Sequence, residues 1–373
     1  MLQVRAPGRV NLIGEHTDYN EGYVLPAAIH LGVRLYAQPR PDSCCVVYSE
    51  TLDDQIAFDL SALPPPEALP SGWIRYVVGV AAMLQEHTRR TLTGFEGVVT
   101  SDLPTGAGLS SSAALESAFA VLWNHLNQLG LDRKTLALLC QQAEWRYAGV
   151  RCGVMDQFAS LLSESGCALF LDTRTLATEQ VPLPQEWVIV VADTGKPRTL
   201  AESAYNERRA QCEEATTAFR AMLGSTVSAL RDVSEEDAMI LLPLLDEPLR
   251  RRARHVIGEN ARVRAFLHAL RAGDPQRVRA LMLASHASLR DDYEVSCPEL
   301  DQMVQACMES PGCVGVRMTG AGFGGACVAL VEREQLNTFL ESAERRYRQQ
   351  SAYTPRFIPC EASAGATLVE DEV

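Results

Sequence analysis

The chain is short of positive charge: 34 lysines and arginines stand against 47 aspartates and glutamates, a formal net charge of −13 at pH 7. No basic run or polybasic tail interrupts that balance, which argues against a nucleic-acid partner, since such a partner selects a basic face. No apolar run approaches the length of a membrane-spanning helix, and the opening MLQVRAPGRV holds no signal-peptide core. The eleven cysteines show no Cys-x-x-Cys spacing and the seven histidines no His-x-x-x-His pair. A disulfide framework or a zinc site is therefore not expected, and a reducing, cytoplasmic setting is. Any metal would be a hard ion held by oxygens, such as Mg2+. Internal repeats and low-complexity blocks are missing as well.

What remains is an ordinary soluble composition, 47% hydrophobic and 22% charged over 373 residues. That length suggests two domains of usual size. The chain is organised around residues 103–116, LPTGAGLSSSAALE. Strand-like 97–100 precedes it, and Leu115, Phe119, Leu122 and Leu126 follow at helical spacing. The serines stand where an N-cap belongs, so backbone N–H groups at the helix start lack intrahelical partners. Those donors and the helix dipole suit a phosphate, and glycine allows close approach of the main chain. The stretch has no lysine and no Gly-x-x-x-x-Gly-Lys, so it is not a Walker loop; without a third glycine it is not a Rossmann loop either. Read alone, it fits a ligand-free turn before a capped helix equally well.

The second informative stretch begins as a strand, turns at Pro7-Gly8, and then brings Arg9, Glu15, His16, Asp18, Tyr19 and Asn20 within twelve residues. Hydrophobic flanks on both sides imply that these groups are at least half-buried, where charges must be paired. Short carboxylates with an imidazole and an amide suit a polyhydroxylated ligand, each hydroxyl donating to one group while accepting from another.

Strands are expected at 33–47 and 55–60, a loop at 61–72, and a helix opened by Trp73. Trp73 and Tyr76 share a helix face, as core aromatics or as walls for a flat adenine ring. A further helix over 132–149 carries Glu144. Asp156, between Met155 and Phe158, reads as shielded from solvent, or as an N-cap after Gly153. Strands at 167–172 and 187–193 would close the first domain. A polar helix runs from Leu200 to about 222 with Tyr205, Arg208 and Arg209, and helices follow near 233–243, 246–256, 258–272, 275–290 and 297–309. Between strands at 314–318 and 326–331 lies a loop with glycines at 320, 322, 324 and 325, suited to a close backbone approach.

Three stretches together resemble the GHMP kinase superfamily: PTGAGLSSSA, MTGAGFGGA and GRVNLIGEHTDYNEGYVLP, the last close to the galactokinase signature. WIRYVVGV, CGVMDQFAS and SAYNERRAQCEE extend the likeness over nearly the whole chain. The full EHTDYN cluster disfavours a mevalonate-type substrate, and Thr17 and Asn20 disfavour an N-acetylgalactosamine kinase.

The resemblance implies an α+β, two-domain GHMP kinase fold with the active site between the domains. Residues 1–185 would form a mixed sheet-and-helix domain like domain 2 of ribosomal protein S5, and 186–373 a helix-rich α+β domain. It implies transfer of the γ-phosphoryl of Mg-ATP to the C1 hydroxyl of D-galactose, by a cytoplasmic monomer without nucleic-acid or membrane partners. Another sugar 1-kinase, for N-acetylgalactosamine or arabinose, and a non-catalytic galactose sensor are the alternatives. Matched position by position, Arg9 and Asp156 are the catalytic pair, and Glu15, His16, Asp18, Gly153 and Tyr205 the sugar contacts. Gly106, Ala107, Gly108, Leu109, Ser110, Ser111 and Ser112 wrap the phosphates, Trp73 and Tyr76 wall the adenine, and Ser112 and Glu144 hold Mg2+. The loop Gly320 to Gly325 supports the transferring group. The resemblance also gives relatives some twenty or more residues ahead of APGRVN where five stand here, a difference expected to touch packing and not chemistry.

Overall fold

The computed structural model describes residues 1–197 and 201–369. Its elements run β1 (Leu2–Asn11), β2 (Tyr23–Val24), β3 (Pro26–Pro39), β4 (Cys44–Ser49), β5 (Asp54–Asp59), α1 (Ile74–Thr88), β6 (Phe95–Ser101), α2 (Ser111–Leu126) and α3 (Arg133–Ala143). A π-helical turn, Glu144–Ala148, leads to α4 (Met155–Leu162), β7 (Cys167–Asp172), β8 (Ala177–Pro182) and β9 (Trp187–Asp193). The rest is helix-rich: α5 (Ala201–Leu223), α6 (Glu235–Leu241), α7 (Leu249–Ala272), α8 (Pro275–Asp291) and α9 (Pro298–Met308). The chain then forms β10 (Cys313–Met318), β11 (Ala326–Glu332), α10 (Leu336–Gln350), β12 (Arg356–Cys360) and β13 (Thr367–Val369). Leu200, where the long polar helix was expected to open, lies outside the described residues.

The strands make a six-stranded sheet in the order β13-β1-β3-β6-β4-β5, a four-stranded sheet β10-β11-β9-β12 and a three-stranded sheet β2-β7-β8. Local chemistry sets several boundaries. Asp132 caps α3 by accepting from Thr135 N (2.8 Å), and Asp274 caps α8 by accepting from Arg277 N (3.0 Å) ahead of Pro275. The expected turn at Pro7-Gly8 is instead a bulge: β1 stays paired with β3 on both sides of a register shift between Pro7 and Arg9. Proline has no N–H for the ladder, and the bulge absorbs that gap without ending the strand.

Helices α2 and α4 pack on β1 and β3, and the first core lies between them. Strands β9, β10 and β11 of the four-stranded sheet are buried on both faces. Along β9, Ile189 and Val191 enter the first core, while Val188, Val190 and Ala192 enter a second core shared with α5, α9 and α10. This two-sided burial explains why WVIVVAD and ACVALVE read as unbroken apolar runs. It also corrects the expectation that 187–193 closes the first domain: β9 hydrogen-bonds with β11 and β12 in the second sheet and meets the first core only with one face. Helix α7 spans what read as two helices. Gly258 sits inside it, and the buried face of His255, Glu259, Val263 and Phe266 carries the helix across the weak position. No helix among the described residues is long and apolar enough to cross a membrane.

Candidate active site

A cleft of about 610 Å³ opens where β1, the N-terminal end of α2, the start of α4, α5 and the β10–β11 loop converge. At its centre Arg9 grips Asp156 with two bonds, Nε to Oδ1 (2.8 Å) and Nη2 to Oδ2 (2.9 Å). Its third nitrogen, Nη1, donates to Gly108 O (2.7 Å), so one guanidinium ties the carboxylate to the glycine loop. Bidentate pairing of this kind fixes orientation as well as distance. Asp156 lies in the first turn of α4 and is half-exposed; Val154, not Asp156, is the N-cap.

Ser110 departs from the expected cap. Its backbone is left-handed (φ 60°, ψ 48°) and its hydroxyl makes no capping bond. The hydroxyl donates to Asp156 Oδ2 instead. With no side chain closing the end of α2, its first N–H groups face the cleft beside Ser111 and Ser112. Gly106, Gly108 and Leu109 line the same wall, whereas Ala107 is buried beneath the loop in the first core.

Glu15, His16, Asp18, Gly153 and Tyr205 meet at one end of the cleft. Glu15 Oε1 accepts from Gly320 N (2.6 Å) and lies 3.6 Å from Arg317 Nη1. Burial raises its pKa, against the opposing pull of Arg317 and Arg9. His16 Nε2 lies 3.2 Å from Ala321 O and Nδ1 2.7 Å from Tyr19 OH. Burial lowers its pKa to about 3, so the ring is neutral: it donates from Nε2 to the carbonyl and accepts from Tyr19. Asp18 is pushed up to about 7, first by burial and then by the charge of Asp156. Tyr205 packs on His16 with ring centroids 5.5 Å apart. Of the third loop only Gly320 and Ala321 reach the cleft. Gly322 answers to packing, because a Cβ there would lie 2.2 Å from Val295 O.

Trp73 and Tyr76 line the opposite end, where Trp73 Nε1 donates to Asp54 Oδ2 (2.8 Å). Sequence reasoning missed the rest of that wall, Ser49, Thr51, Leu52, Val99 and Ser101. Short side chains at strand ends carry no recognisable pattern. It also missed a buried polar set behind Ser112: Gln157 Nε2 donates to Glu116 Oε2 (3.1 Å) and Glu144 Oε2 (2.9 Å). Burial, reinforced by the Glu144 charge, holds the Glu116 carboxyl well above its usual range. The available signal was Glu116 standing one helical turn after Ser112 on α2.

Ser112 and Glu144 both line the cleft and offer hard oxygen donors. Among the described residues no group of three or more His, Cys, Asp or Glu side chains gathers to enclose an ion unaided. A hydroxyl and a carboxylate are the oxygen donors that suit a hard ion such as Mg2+, which keeps water and takes phosphate oxygens to complete its shell.

Comparison with known proteins agrees with this architecture. The family models "GHMP kinases N terminal domain", "Galactokinase galactose-binding signature" and "GHMP kinases C terminal" match residues 75–164, 2–39 and 266–349. Galactokinase of Roseiflexus sp. is 45% identical over 368 residues, 99% of this chain and 93% of its own. Human galactokinase is 42% identical over 377 residues, 99% of this chain and 92% of its own. The crystal structure of Lactococcus lactis galactokinase complexed with galactose superimposes with a TM-score of 0.92 at 39% identity, covering 98% of this chain and 94% of that one. A mevalonate kinase, at 17% identity and a TM-score of 0.68, shares the fold. With a cleft built from all three glycine-bearing motifs and whole-length likeness to these enzymes, the chain belongs to the galactokinase family of GHMP kinases.

Proposed function

We infer that this chain transfers the γ-phosphoryl of ATP to the anomeric hydroxyl of α-D-galactose, giving α-D-galactose 1-phosphate and ADP. The observation that carries this reading is the Arg9–Asp156–Ser110 constellation, set between a sugar-type cluster and a glycine loop in one cleft. Glu15, His16, Asp18, Tyr205 and the main chain at Gly153 hold the sugar hydroxyls. The N–H groups of residues 106–112 and the α2 dipole hold the phosphates. Trp73 and Tyr76 flank the adenine. We assign the two lobes that supply these groups to 1–185 and 186–373, with β13 (Thr367–Val369) crossing back to pair with β1 in the first.

Asp156 is the acceptor for the C1 hydroxyl proton as the new O–P bond forms. In a loose transition state the nucleophile needs little activation, so the carboxylate acts first by orienting that hydroxyl in line with the phosphoryl group. Arg9 fixes the carboxylate and presents positive charge toward the transferring group, and Ser110 braces Oδ2. Ser112 and Glu144 would hold Mg2+, which would supply charge neutralisation for the phosphates. Gln157 and Glu116 keep Glu144 oriented. Eleven unpaired thiols suit a reducing cytoplasm.

The test is ADP release from Mg-ATP with D-galactose, D-glucose, N-acetylgalactosamine, L-arabinose and mevalonate. Turnover confined to galactose and abolished in Asp156→Ala is expected. Turnover on another sugar moves the specificity to that sugar. Binding of galactose and ATP without ADP release replaces the kinase with a sensor.

A further inference from the structure

Helix α7 stays outside the cleft, yet three of its side chains hold the main chain of the sugar-recognition segment. Gly14 N donates to Glu259 Oε1 (3.0 Å), and Tyr23 N donates to Asn260 Oδ1 (2.9 Å). His255 Nε2 lies 3.1 Å from Glu15 O; a carbonyl only accepts, so the ring donates there. His255 and Glu259 stand one turn apart on one helix face, and Asn260 follows Glu259 directly. All are buried and none lines the cleft.

The anchors are themselves fixed. Glu259 also accepts from Ser285 Oγ (2.6 Å) and Arg262 Nε (2.6 Å). His255 Nδ1 lies 3.0 Å from Ser288 Oγ. The segment they hold is irregular: His16 and Glu21 have left-handed backbones, and internal bonds such as Gly22 N to Thr17 O (2.9 Å) satisfy only part of its main chain. Buried backbone groups left over need partners from elsewhere, and α7 supplies them at both ends of the loop that carries Glu15, His16 and Asp18.

We propose that His255, Glu259 and Asn260 are positioning residues for galactose: they set the main chain of 14–23, and recognition of the sugar depends on them while recognition of ATP does not. The proposal rests on the galactokinase reading for the identity of the sugar, and on geometry alone for the anchoring.

Two readouts separate these. In the ligand-free protein, hydrogen exchange of peptides spanning 14–24 is compared for wild type, Asn260→Ala and Asn260→Asp. Steady-state kinetics then follow galactose and ATP separately. Asn260→Ala is expected to speed exchange in 14–24 and to raise the galactose KM about tenfold, the effect of one lost buried hydrogen bond. The ATP KM should stay within about twofold of wild type. Asn260→Asp, which keeps the acceptor oxygen, should restore both. Glu259→Ala, which removes the acceptor for Gly14 N, serves as a second probe and should shift galactose KM in the same direction. Unchanged exchange in 14–24, an unchanged galactose KM, or equal rises in both KM values with a lowered melting temperature would overturn the proposal. Absence of galactose turnover in the wild type would sink the functional reading, whereas the exchange comparison would still decide the anchoring.

Discussion

Asp18 and Gly153 are in such close contact that no side chain fits between them: a Cβ built on Gly153 would lie 1.8 Å from Asp18 Oδ2 and 2.0 Å from its Cγ. The carboxylate therefore occupies space that only glycine leaves free. Gly153→Ala is expected to displace Asp18 and raise the galactose KM by about tenfold or more, with the ATP KM little changed. Separate titration of the two substrates checks this, and equal effects on both would contradict the assignment.

The same carboxyl predicts a pH profile. Asp18 is raised from its ordinary 3.8 to about 7, by burial first and by the Asp156 charge second. Between those values the folded protein keeps a proton that the unfolded chain has released. The stabilisation from this group is thus full below pH 4 and is lost as pH rises through about 7. The ligand-free melting temperature of wild type should fall across that window relative to Asp18→Asn. Sugar hydroxyls donate better to the ionised form, so the galactose KM should fall as pH rises through 7. His16, at about 3, stays neutral and should add no inflection there.

Arg9→Lys keeps the charge but loses the fork that holds both Asp156 oxygens and Gly108 O together. Turnover is expected to fall by about 10²–10³, the usual effect of removing one transition-state donor. Galactose binding, measured by calorimetry, should change far less. A kcat near wild type would remove Arg9 from the chemistry.

Glu144→Gln is expected to raise the Mg2+ concentration for half-maximal activity by at least about tenfold. Direct Mn2+ titration in the presence of ATP, read by paramagnetic relaxation, should weaken in parallel. An unchanged metal requirement would move the metal ligand elsewhere.

The site was legible where chemistry is written locally. Arg9, the EHTDY cluster and GAGLSSS carry their residue types and spacing in single short stretches, and the fold brings them to one cleft. What stayed hidden depends on partners far along the chain. Nothing near Gly14 or Tyr23 points to Glu259 and Asn260, some 240 residues on. The role of Ser110 was hidden for a different reason: a serine before a helix reads as a cap, and only its left-handed backbone turns the hydroxyl toward Asp156. In the fold, α7 read as two helices, near 246–256 and 258–272, because the buried face that makes them one was not visible.

Strand β1 lies between β3 and β13, with Gln3, Val4 and Arg5 paired to Val369, Leu368 and Thr367. During synthesis β1 must wait for β13, which is made far later in the chain. Until residue 369 has cleared the ribosome, one edge of β1 offers its N–H and C=O groups to any passing strand. The lobe that carries the sugar motif is thereby completed by β13, and a nascent protein stalled before that strand would hold a finished sugar loop on an unfinished sheet.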